Sequence, residues 1–112
     1  MRYKRAVRIF KKLKNSMFET DSKCSYLNSF SGYFIECLIY NVPNSKFSAT
    51  SYHDMIKDII IYLYNELKNG NTEKWTEVDN IKYLFRSSQK WTKEEAIKFF
   101  YDAWIFVGYI NE

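Results

Sequence analysis

Apolar residues recur every three or four positions along most of this 112-residue chain. Residues 51–70, SYHDMIKDIIIYLYNELKNG, give the clearest example, and their apolar stripe is formed by Tyr52, Met55, Ile56, Ile59, Ile60, Leu63 and Leu67. This spacing follows one face of an α-helix, whereas a half-buried strand alternates apolar and polar residues with a period of two. No segment keeps a period of two for long, so the sequence predicts an all-α fold.

Three other segments have the helical spacing and bring the number of main helices to four. The first lies near the amino terminus, with its stripe at Ala6, Ile9, Phe10, Leu13 and Met17. The second, residues 33–42, is almost entirely apolar and stops at Pro43, because a proline ring disfavours the α conformation at the preceding residue. The last begins after Thr92, and its stripe is formed by Ala96, Phe99, Phe100, Ala103, Trp104 and Val107.

Capping signals mark the ends of two of these helices. Thr92 with Glu95 matches the S/T-x-x-E capping box, and Ser51 with Asp54 resembles it with Asp in place of Glu. Gly70 is placed to end the helix that begins near Ser51, because glycine tolerates the left-handed conformation that often follows a last helical turn.

The segments between the helices are expected to be connections. Residues 18–30 are polar and without a period, and they leave room for one short helical turn. Residues 44–51 are predicted to form a loop, and IKYLF, residues 81–85, a short helical or irregular piece. The sequence thus predicts a single domain, residues 1–112, folded as a compact bundle of four main helices plus short helical pieces.

Composition narrows the class of protein. Three glycines and one proline among 112 residues favour long helices, and no window has the roughly 18 uncharged apolar residues of a membrane span. The basic first turn lacks the apolar run of a signal peptide, so a cytoplasmic protein is expected. Cys24, Cys37 and a single histidine form neither a zinc site nor a disulfide framework, and both cysteines are interpreted as buried thiols.

Charge is distributed unevenly along the chain. Residues 1–15 hold seven basic residues and no acidic one, while the whole chain has a net charge of +4, so residues 16–112 sum to −3. A basic helix of this kind is a solvated cationic face, or it binds phosphates, a nucleic-acid backbone or an acidic protein surface. Charge alone does not choose among these alternatives.

Known catalytic motifs are missing from the sequence. It contains no GxxxxGK[ST], GxGxxG, HExxH or GxSxG pattern, and the lone His53 is interpreted as a capping or surface residue. EVD, residues 77–79, does match a carboxylate–apolar–carboxylate pattern for catalytic magnesium. That pattern works on a strand with an upstream Gly-Ser pair, but the flanks here read as loop and no Gly-Ser pair exists. The sequence therefore predicts neither metal ligands nor catalytic residues.

Glu36 lies in the middle of the apolar helix 33–42. Burying an unpaired carboxylate costs several kcal/mol, so this side chain needs a partner or a path to water. We hypothesise that Glu36 pairs with Arg8 or a neighbouring lysine of the basic helix and holds the cations in position. The alternative is that Glu36 reaches solvent at the edge of its helix.

Four stretches together resemble a known protein family: RAVRIFKKLK, GYFIECLIYNVPNS, WTEVDNIKYLF and QKWTKEEAIKFFYDAW. They are similar to the carboxy-terminal helical lobe of nucleotidyltransferases, closest to the cyclic-dinucleotide synthases of bacterial antiphage defence. These enzymes are relatives of cyclic-GMP-AMP synthase and oligoadenylate synthase. The most specific part of the resemblance is the core at residues 33–44, and the similarity runs over nearly the whole chain.

The resemblance implies a set of site residues. In the family a lysine of the first helix meets nucleotide phosphates, which points to Lys11 after Arg8, with Lys12 beside them. A Ser-aromatic pair at the start of the next helix places a ring against the base, which points to Tyr33. The family serine position is occupied by Gly32, with Ser31 one step earlier. Ser31 and Glu36 are expected to orient these contacts.

The expected function is that of a helical nucleotide-binding lobe, stand-alone or truncated, that does not catalyse alone. In the family, an α/β lobe supplies the Gly-Ser pair and the metal carboxylates, so Mg²⁺ and a nucleoside triphosphate such as ATP or GTP would bind once a catalytic lobe, in another chain, is present. The product would be a cyclic or linear oligonucleotide, a cyclic-nucleotide second messenger of antiviral defence. One alternative is a regulatory helical module that docks an acidic protein through its basic first helix, and another is nucleic-acid binding through the same helix.

Overall fold

Four α-helices form most of the described chain. The computed structural model describes residues 2–78, 82–85 and 92–108. The helices are α1 (Arg2–Thr20), α2 (Gly32–Tyr40), α3 (Tyr52–Lys68) and α4 (Lys93–Val107). Within the described ranges the chain forms no strand, and the predicted all-α fold with four main helices is confirmed.

The capping predictions are also confirmed. The Ser51 hydroxyl accepts a hydrogen bond from the Asp54 backbone N–H at 3.1 Å, and the Thr92 hydroxyl accepts one from the Glu95 N–H at 3.2 Å. Gly70 follows the end of α3 with a φ of 76°, the left-handed conformation expected of it. Local sequence thus fixes both ends of α3 and the beginning of α4.

The end of α2 differs from the prediction. The helix stops at Tyr40 rather than continuing to residue 42. Asn41 caps the last turn, because its side-chain amide donates to the Cys37 carbonyl and to the Thr76 carbonyl, both at 2.8 Å. Asn41 therefore ends the helix before the steric effect of Pro43 is reached.

The connection predicted at residues 18–30 contains more helix than expected. Helix α1 continues to Thr20, and a 3₁₀ segment occupies Ser22–Ser29, with the Asp21 side chain capping its start by accepting from the Lys23 N–H at 2.9 Å. A second 3₁₀ turn, Asn44–Phe47, lies in the predicted loop. Such segments are missed by a search for the 3.6-residue period because their own period is three.

The described part of residues 81–85 is irregular, one of the two alternatives expected for it. Thr76 and Tyr83 form an isolated antiparallel bridge. The Glu77 N–H donates to the Lys82 carbonyl and the Leu84 N–H donates to the Trp75 carbonyl, both at 2.8 Å. Residues 75–77 and 82–84 therefore lie side by side after α3.

Aromatic rings join the helices into one core. The ring centroid of Phe10 on α1 lies 6.5 Å from that of Phe99 and 5.9 Å from that of Phe100, both on α4. Phe30, which follows the first 3₁₀ segment, lies 4.9 Å from both Phe34 on α2 and Phe99. All five side chains are almost completely buried, so α1, α2 and α4 share the same apolar interior.

Two further expectations concern the thiols and the membrane. Cys24 and Cys37 are free and buried, with 2% and 0% of their surface exposed, as predicted. None of the helices in the described ranges is long and apolar enough to cross a membrane.

Candidate functional site

Lys11 lies at the seam between α1 and α2. Its Nζ is 3.7 Å from Oε2 of Glu36, which confirms that the carboxylate on the apolar helix pairs with a cation of the basic helix. The partner is Lys11, one of the lysines neighbouring Arg8. Both side chains retain about two-fifths of their exposure, at 41% and 39%. Because solvent screens such a pair, it contributes little to the stability of the fold.

Gly32 lets the Lys11 side chain pass close to the first turn of α2. A Cβ atom added at Gly32 would lie 3.1 Å from Cε of Lys11, closer than ordinary van der Waals contact. At the position where the resemblance implies a serine, Gly32 thus leaves room for the lysine stem. Any larger side chain there requires Lys11 to move.

Ser31 is the N-cap of α2. Its hydroxyl oxygen accepts a hydrogen bond from the Phe34 N–H at 3.0 Å. This bond satisfies one of the backbone donors that a helix leaves unpaired at its start. Ser31 therefore fixes where α2 begins, and with it the placement of Gly32 and Tyr33.

Tyr33 presents an exposed ring on the first turn of α2. The side chain is 44% exposed, and its hydroxyl donates to Oε1 of Glu77 at 3.0 Å. A hydrogen bond with the Cys37 thiol, desolvation and the hydrogen bond to Glu77 raise the pKa of Tyr33 above its ordinary value. The phenol stays neutral at physiological pH, with its hydroxyl directed into the protein.

Glu77 is the residue of this site that sequence reasoning missed. We considered it as half of a possible metal motif, but it is 6% exposed and serves as the acceptor for Tyr33. Its partner in that motif, Asp79, lies outside the described residues. No local pattern links Glu77 to Tyr33, because the two are 44 positions apart in the sequence.

The segment that carries Glu77 is fastened to the end of α2. The Asn41 side chain donates to the Thr76 carbonyl at 2.8 Å and accepts from the Thr76 N–H at 3.3 Å. The Glu77 N–H in turn donates to the Lys82 carbonyl at 2.8 Å. These bonds hold the Glu77 backbone in register with α2, the helix on which Tyr33 lies.

Arg8 and Lys12 lie on another part of the α1 surface. They line a groove of about 400 Å³ together with Arg5, Ile9 and Tyr52. In residues 2–78, 82–85 and 92–108, neither Arg8 nor Lys12 forms an ion pair with an acidic side chain. Arg5 instead stacks on the Tyr52 ring, with its guanidinium carbon 5.5 Å from the ring centroid. The predicted row of cations is therefore divided between the Lys11 seam and this groove.

The described residues offer no cluster of metal ligands. No group of three or more His, Cys, Asp or Glu side chains within those ranges is arranged to hold a metal ion. His53 is exposed on the first turn of α3. Among the predicted site residues, Lys11 thus lies against Glu36 and Gly32, and the Tyr33 ring is 44% exposed.

The chain is similar in sequence to part of several longer proteins. A cyclic dipurine nucleotide synthase from Elizabethkingia meningoseptica is 34% identical over 107 residues, which is 96% of this chain and 35% of the synthase. The cyclic dipyrimidine nucleotide synthase CdnE from Legionella pneumophila is 36% identical over 106 residues, covering 95% of this chain and 34% of that enzyme. The chain thus spans about a third of the length of these relatives.

A solved structure gives the same result for the fold. The Elizabethkingia meningoseptica CdnE cyclic dinucleotide synthase, determined with GTP and Apcpp, superimposes with a TM-score of 0.84 at 35% identity, over 95% of this chain and 38% of that one. A family model for the cGAS/DncV-like nucleotidyltransferase C-terminal helical domain matches residues 1–108. The resemblance seen in the sequence is confirmed, and the chain belongs to the C-terminal helical domains of cGAS/DncV-like nucleotidyltransferases.

Proposed function

We propose that this chain is the nucleotide-binding helical lobe of a synthase that joins nucleoside triphosphates into a cyclic dinucleotide or a short oligonucleotide. The product would act in the cytoplasm as a second messenger of antiviral defence. The proposal is supported by membership of the family and by a structural neighbour that was determined with GTP and Apcpp. The proposal gives these helices a role in binding and no catalytic activity of their own.

One observation supports the binding role most strongly. Lys11 and the exposed ring of Tyr33 come from different helices, yet Lys11 packs against Gly32, the residue that precedes Tyr33. An ammonium group beside the helical turn that carries an exposed aromatic ring suits a nucleotide, because an ammonium pairs with phosphate oxygens and a ring stacks on any base. Lys11 would meet the phosphates and Tyr33 the base.

The other predicted site residues would have supporting roles. Glu36 orients the Lys11 ammonium, and Ser31 sets the first turn of α2. Arg8 precedes Lys11 by one helical turn and Lys12 follows it, so both raise the positive potential that attracts a polyphosphate.

The chemical step would need a second lobe. Nucleotidyl transfer uses metal ions to neutralise phosphate charge and to activate the attacking oxygen. The family resemblance assigns the metal carboxylates and the Gly-Ser pair to the α/β lobe, and this sequence has no Gly-Ser pair. We therefore expect Mg²⁺ and the triphosphate to bind between the two lobes, with Lys11 and Tyr33 on the helical side.

Isothermal titration of the purified chain with ATP and with GTP, each with and without Mg²⁺, tests the binding role. We expect measurable heat for the wild type and a loss of about tenfold in affinity for Lys11→Ala, the scale of one charge-assisted hydrogen bond. Lys4→Ala is the matched control, because Lys4 is an exposed lysine of the same helix two turns away. No heat for the wild type, or equal binding by Lys11→Ala, would contradict the proposal.

The groove lined by Arg5, Arg8 and Lys12 supports a second candidate function, the docking of an acidic protein. The observation in its favour is that none of these three cations pairs with an acidic side chain in the described ranges. A module of this kind would bind its partner in a salt-sensitive manner and would have no affinity for nucleotides. The same titrations decide between the two functions.

A further inference from the structure

Glu77 is a buried carboxylate that the proposed nucleotide contacts do not use. Only 6% of its surface is exposed, although it follows a turn after α3 rather than lying in a helix. A carboxylate removed from water is unfavourable unless hydrogen-bond donors surround it. One of those donors is the Tyr33 hydroxyl, at 3.0 Å.

The backbone around Glu77 is held by hydrogen bonds that do not involve Tyr33. Its N–H is bonded to the Lys82 carbonyl, and the preceding residue, Thr76, is held at both backbone groups by the Asn41 side chain. The carboxylate therefore projects from a backbone that is tied to the end of α2. The hydroxyl of Tyr33, on the first turn of the same helix, donates its hydrogen bond to this carboxylate.

We propose that Glu77 is a positioning residue that holds the Tyr33 ring in place as a stacking platform for the nucleobase. The inference rests on the proposed function, because it concerns the same nucleotide site. A tyrosine that is 44% exposed would otherwise exchange among rotamers and would lose that freedom when a base stacks on it. The hydrogen bond to Glu77 restricts these rotamers before the nucleotide binds, so less conformational entropy is lost on binding.

This arrangement also limits what Tyr33 recognises. Its hydroxyl proton is directed to Glu77, so the ring offers its face to a ligand while the proton stays with the protein. Stacking on a ring face accepts every base, purine or pyrimidine. We therefore expect the Tyr33 position to bind adenine, guanine, cytosine and uracil nucleotides with similar affinity, and base choice to come from other residues.

A double-mutant cycle on nucleotide binding tests the inference. Tyr33→Phe keeps the ring and removes the hydroxyl, and Glu77→Ala removes the acceptor. Each is expected to weaken binding of ATP and GTP about three- to tenfold, the range for ordering one side chain on binding. The double variant is expected to bind no more weakly than Tyr33→Phe, because both changes break the same contact. Glu73→Ala, an exposed acidic residue of the same connection, is the control for charge.

A second readout does not depend on nucleotide. Tyrosine labelled with ¹³C at Cζ reports the surroundings of each phenol hydroxyl by NMR at neutral pH, where the fold is intact, and the Tyr33 signal is identified by its absence in Tyr33→Phe. We expect Glu77→Ala to move the Tyr33 signal, because the hydroxyl then loses its carboxylate acceptor. Glu73→Ala should leave that signal as in the wild type.

The outcomes separate this inference from the proposed function. If Tyr33→Phe binds nucleotide like the wild type, or if the losses from Tyr33→Phe and Glu77→Ala add, Glu77 does not position the ring. An unchanged Tyr33 signal in folded Glu77→Ala overturns the inference too. If instead Tyr33→Ala and Lys11→Ala both bind nucleotide normally, the nucleotide site itself is wrong. Should Glu77→Ala fail to fold, Tyr33→Phe and the milder Glu77→Gln keep the binding test intact.

Discussion

Each of the two side chains proposed to meet a nucleotide is held by a carboxylate from elsewhere in the sequence. Glu36 lies 3.7 Å from the Lys11 ammonium, and Glu77 lies 3.0 Å from the Tyr33 hydroxyl. The two contacts differ in exposure, since Glu36 is 39% exposed and Glu77 only 6%. Removing Glu36 should therefore affect binding far more than folding, whereas removing Glu77 affects both.

Glu36→Gln removes the charge that orients Lys11 and keeps the shape of the side chain. Because the pair is partly exposed and screened by water, we expect the free energy of unfolding to change by less than about 1 kcal/mol. We expect the affinity for ATP to fall about two- to fivefold, on the scale of such a pair. Urea denaturation and titration calorimetry measure the two quantities. Tighter binding of ATP by this variant would mean that Glu36 competes with the phosphates.

The sequence made one of these two contacts predictable and left the other hidden. Glu36 is a lone carboxylate on an apolar helix, and the nearest source of positive charge is the basic first helix, so a partner could be named from composition and periodicity. Glu77 lies in a connection without a period, and its contact with Tyr33 depends on how residues 75–77 fold back on α2. That path is a property of the packed protein and has no local signature.

Helix α2 is the shortest of the four α-helices and begins after the N-cap Ser31. It has nine residues, and the Ser31 cap supports the turn that presents Gly32 and Tyr33. Replacing a serine N-cap by alanine costs about 1 kcal/mol. We expect Ser31→Ala to lower the free energy of unfolding by this amount and to weaken ATP binding, because the first turn of α2 is then free to fray.

Ser16→Ala is the matched control for the cap. Ser16 is exposed within α1, where alanine is at least as good a helix former, so the stability of that variant should stay the same or rise slightly. Thermal unfolding followed by circular dichroism compares the two. Equal melting temperatures for Ser31→Ala and the wild type would show that the cap does not hold α2.

The elements were predicted well where a local rule sets them and poorly where tertiary contacts do. Periodicity and caps predicted α3 and the start of α4, because the apolar stripe and the caps Ser51 and Thr92 depend only on residues within or next to each helix. The end of α2 was placed two residues too late, since Asn41 is recruited by a carbonyl of a distant segment, that of Thr76. The 3₁₀ segment Ser22–Ser29 was missed because it has too little apolar periodicity to detect.

At the scale of the whole molecule, packing decides which cations belong together. In the sequence, Arg8, Lys11 and Lys12 form one row on α1. In the structure, α1 is rotated so that Phe10 enters the core beside Phe99, and this rotation directs Lys11 to α2 and the other two cations to the groove beside Tyr52. The apolar stripe of α1 predicted that this helix packs against the core. It did not predict which elements lie on either side of the basic surface of α1.

Two partly buried tyrosines join the helices through hydrogen bonds of their hydroxyls. The Tyr3 hydroxyl on α1 donates to the Glu36 carbonyl on α2 at 3.2 Å, and the Tyr26 hydroxyl donates to Asp102 on α4 at 2.8 Å. Burial, with the nearby Glu36 charge, raises the pKa of Tyr3 to about 12. Burial and the hydrogen bond to Asp102 raise the pKa of Tyr26 as well.

These raised pKa values predict a loss of stability in alkaline solution. A tyrosine whose pKa is higher in the folded state keeps its proton there, so its contribution is complete below the ordinary value of 10.0 and is lost as the pH rises towards 12. Each such tyrosine lowers the free energy of unfolding by at most about 1.4 kcal/mol per pH unit in that window. Burial also raises the pKa of the Cys24 and Cys37 thiols above their ordinary value of 9.0, so the loss begins near that pH. We expect urea denaturation to show constant stability from pH 7 to 8 and a steep fall by pH 11. Tyr26→Phe should reduce the slope, and Tyr83→Phe, which alters a residue 58% exposed, should not. If Tyr26→Phe left the slope unchanged, the hydrogen bond from the Tyr26 hydroxyl to Asp102 would not contribute to the alkaline loss of stability.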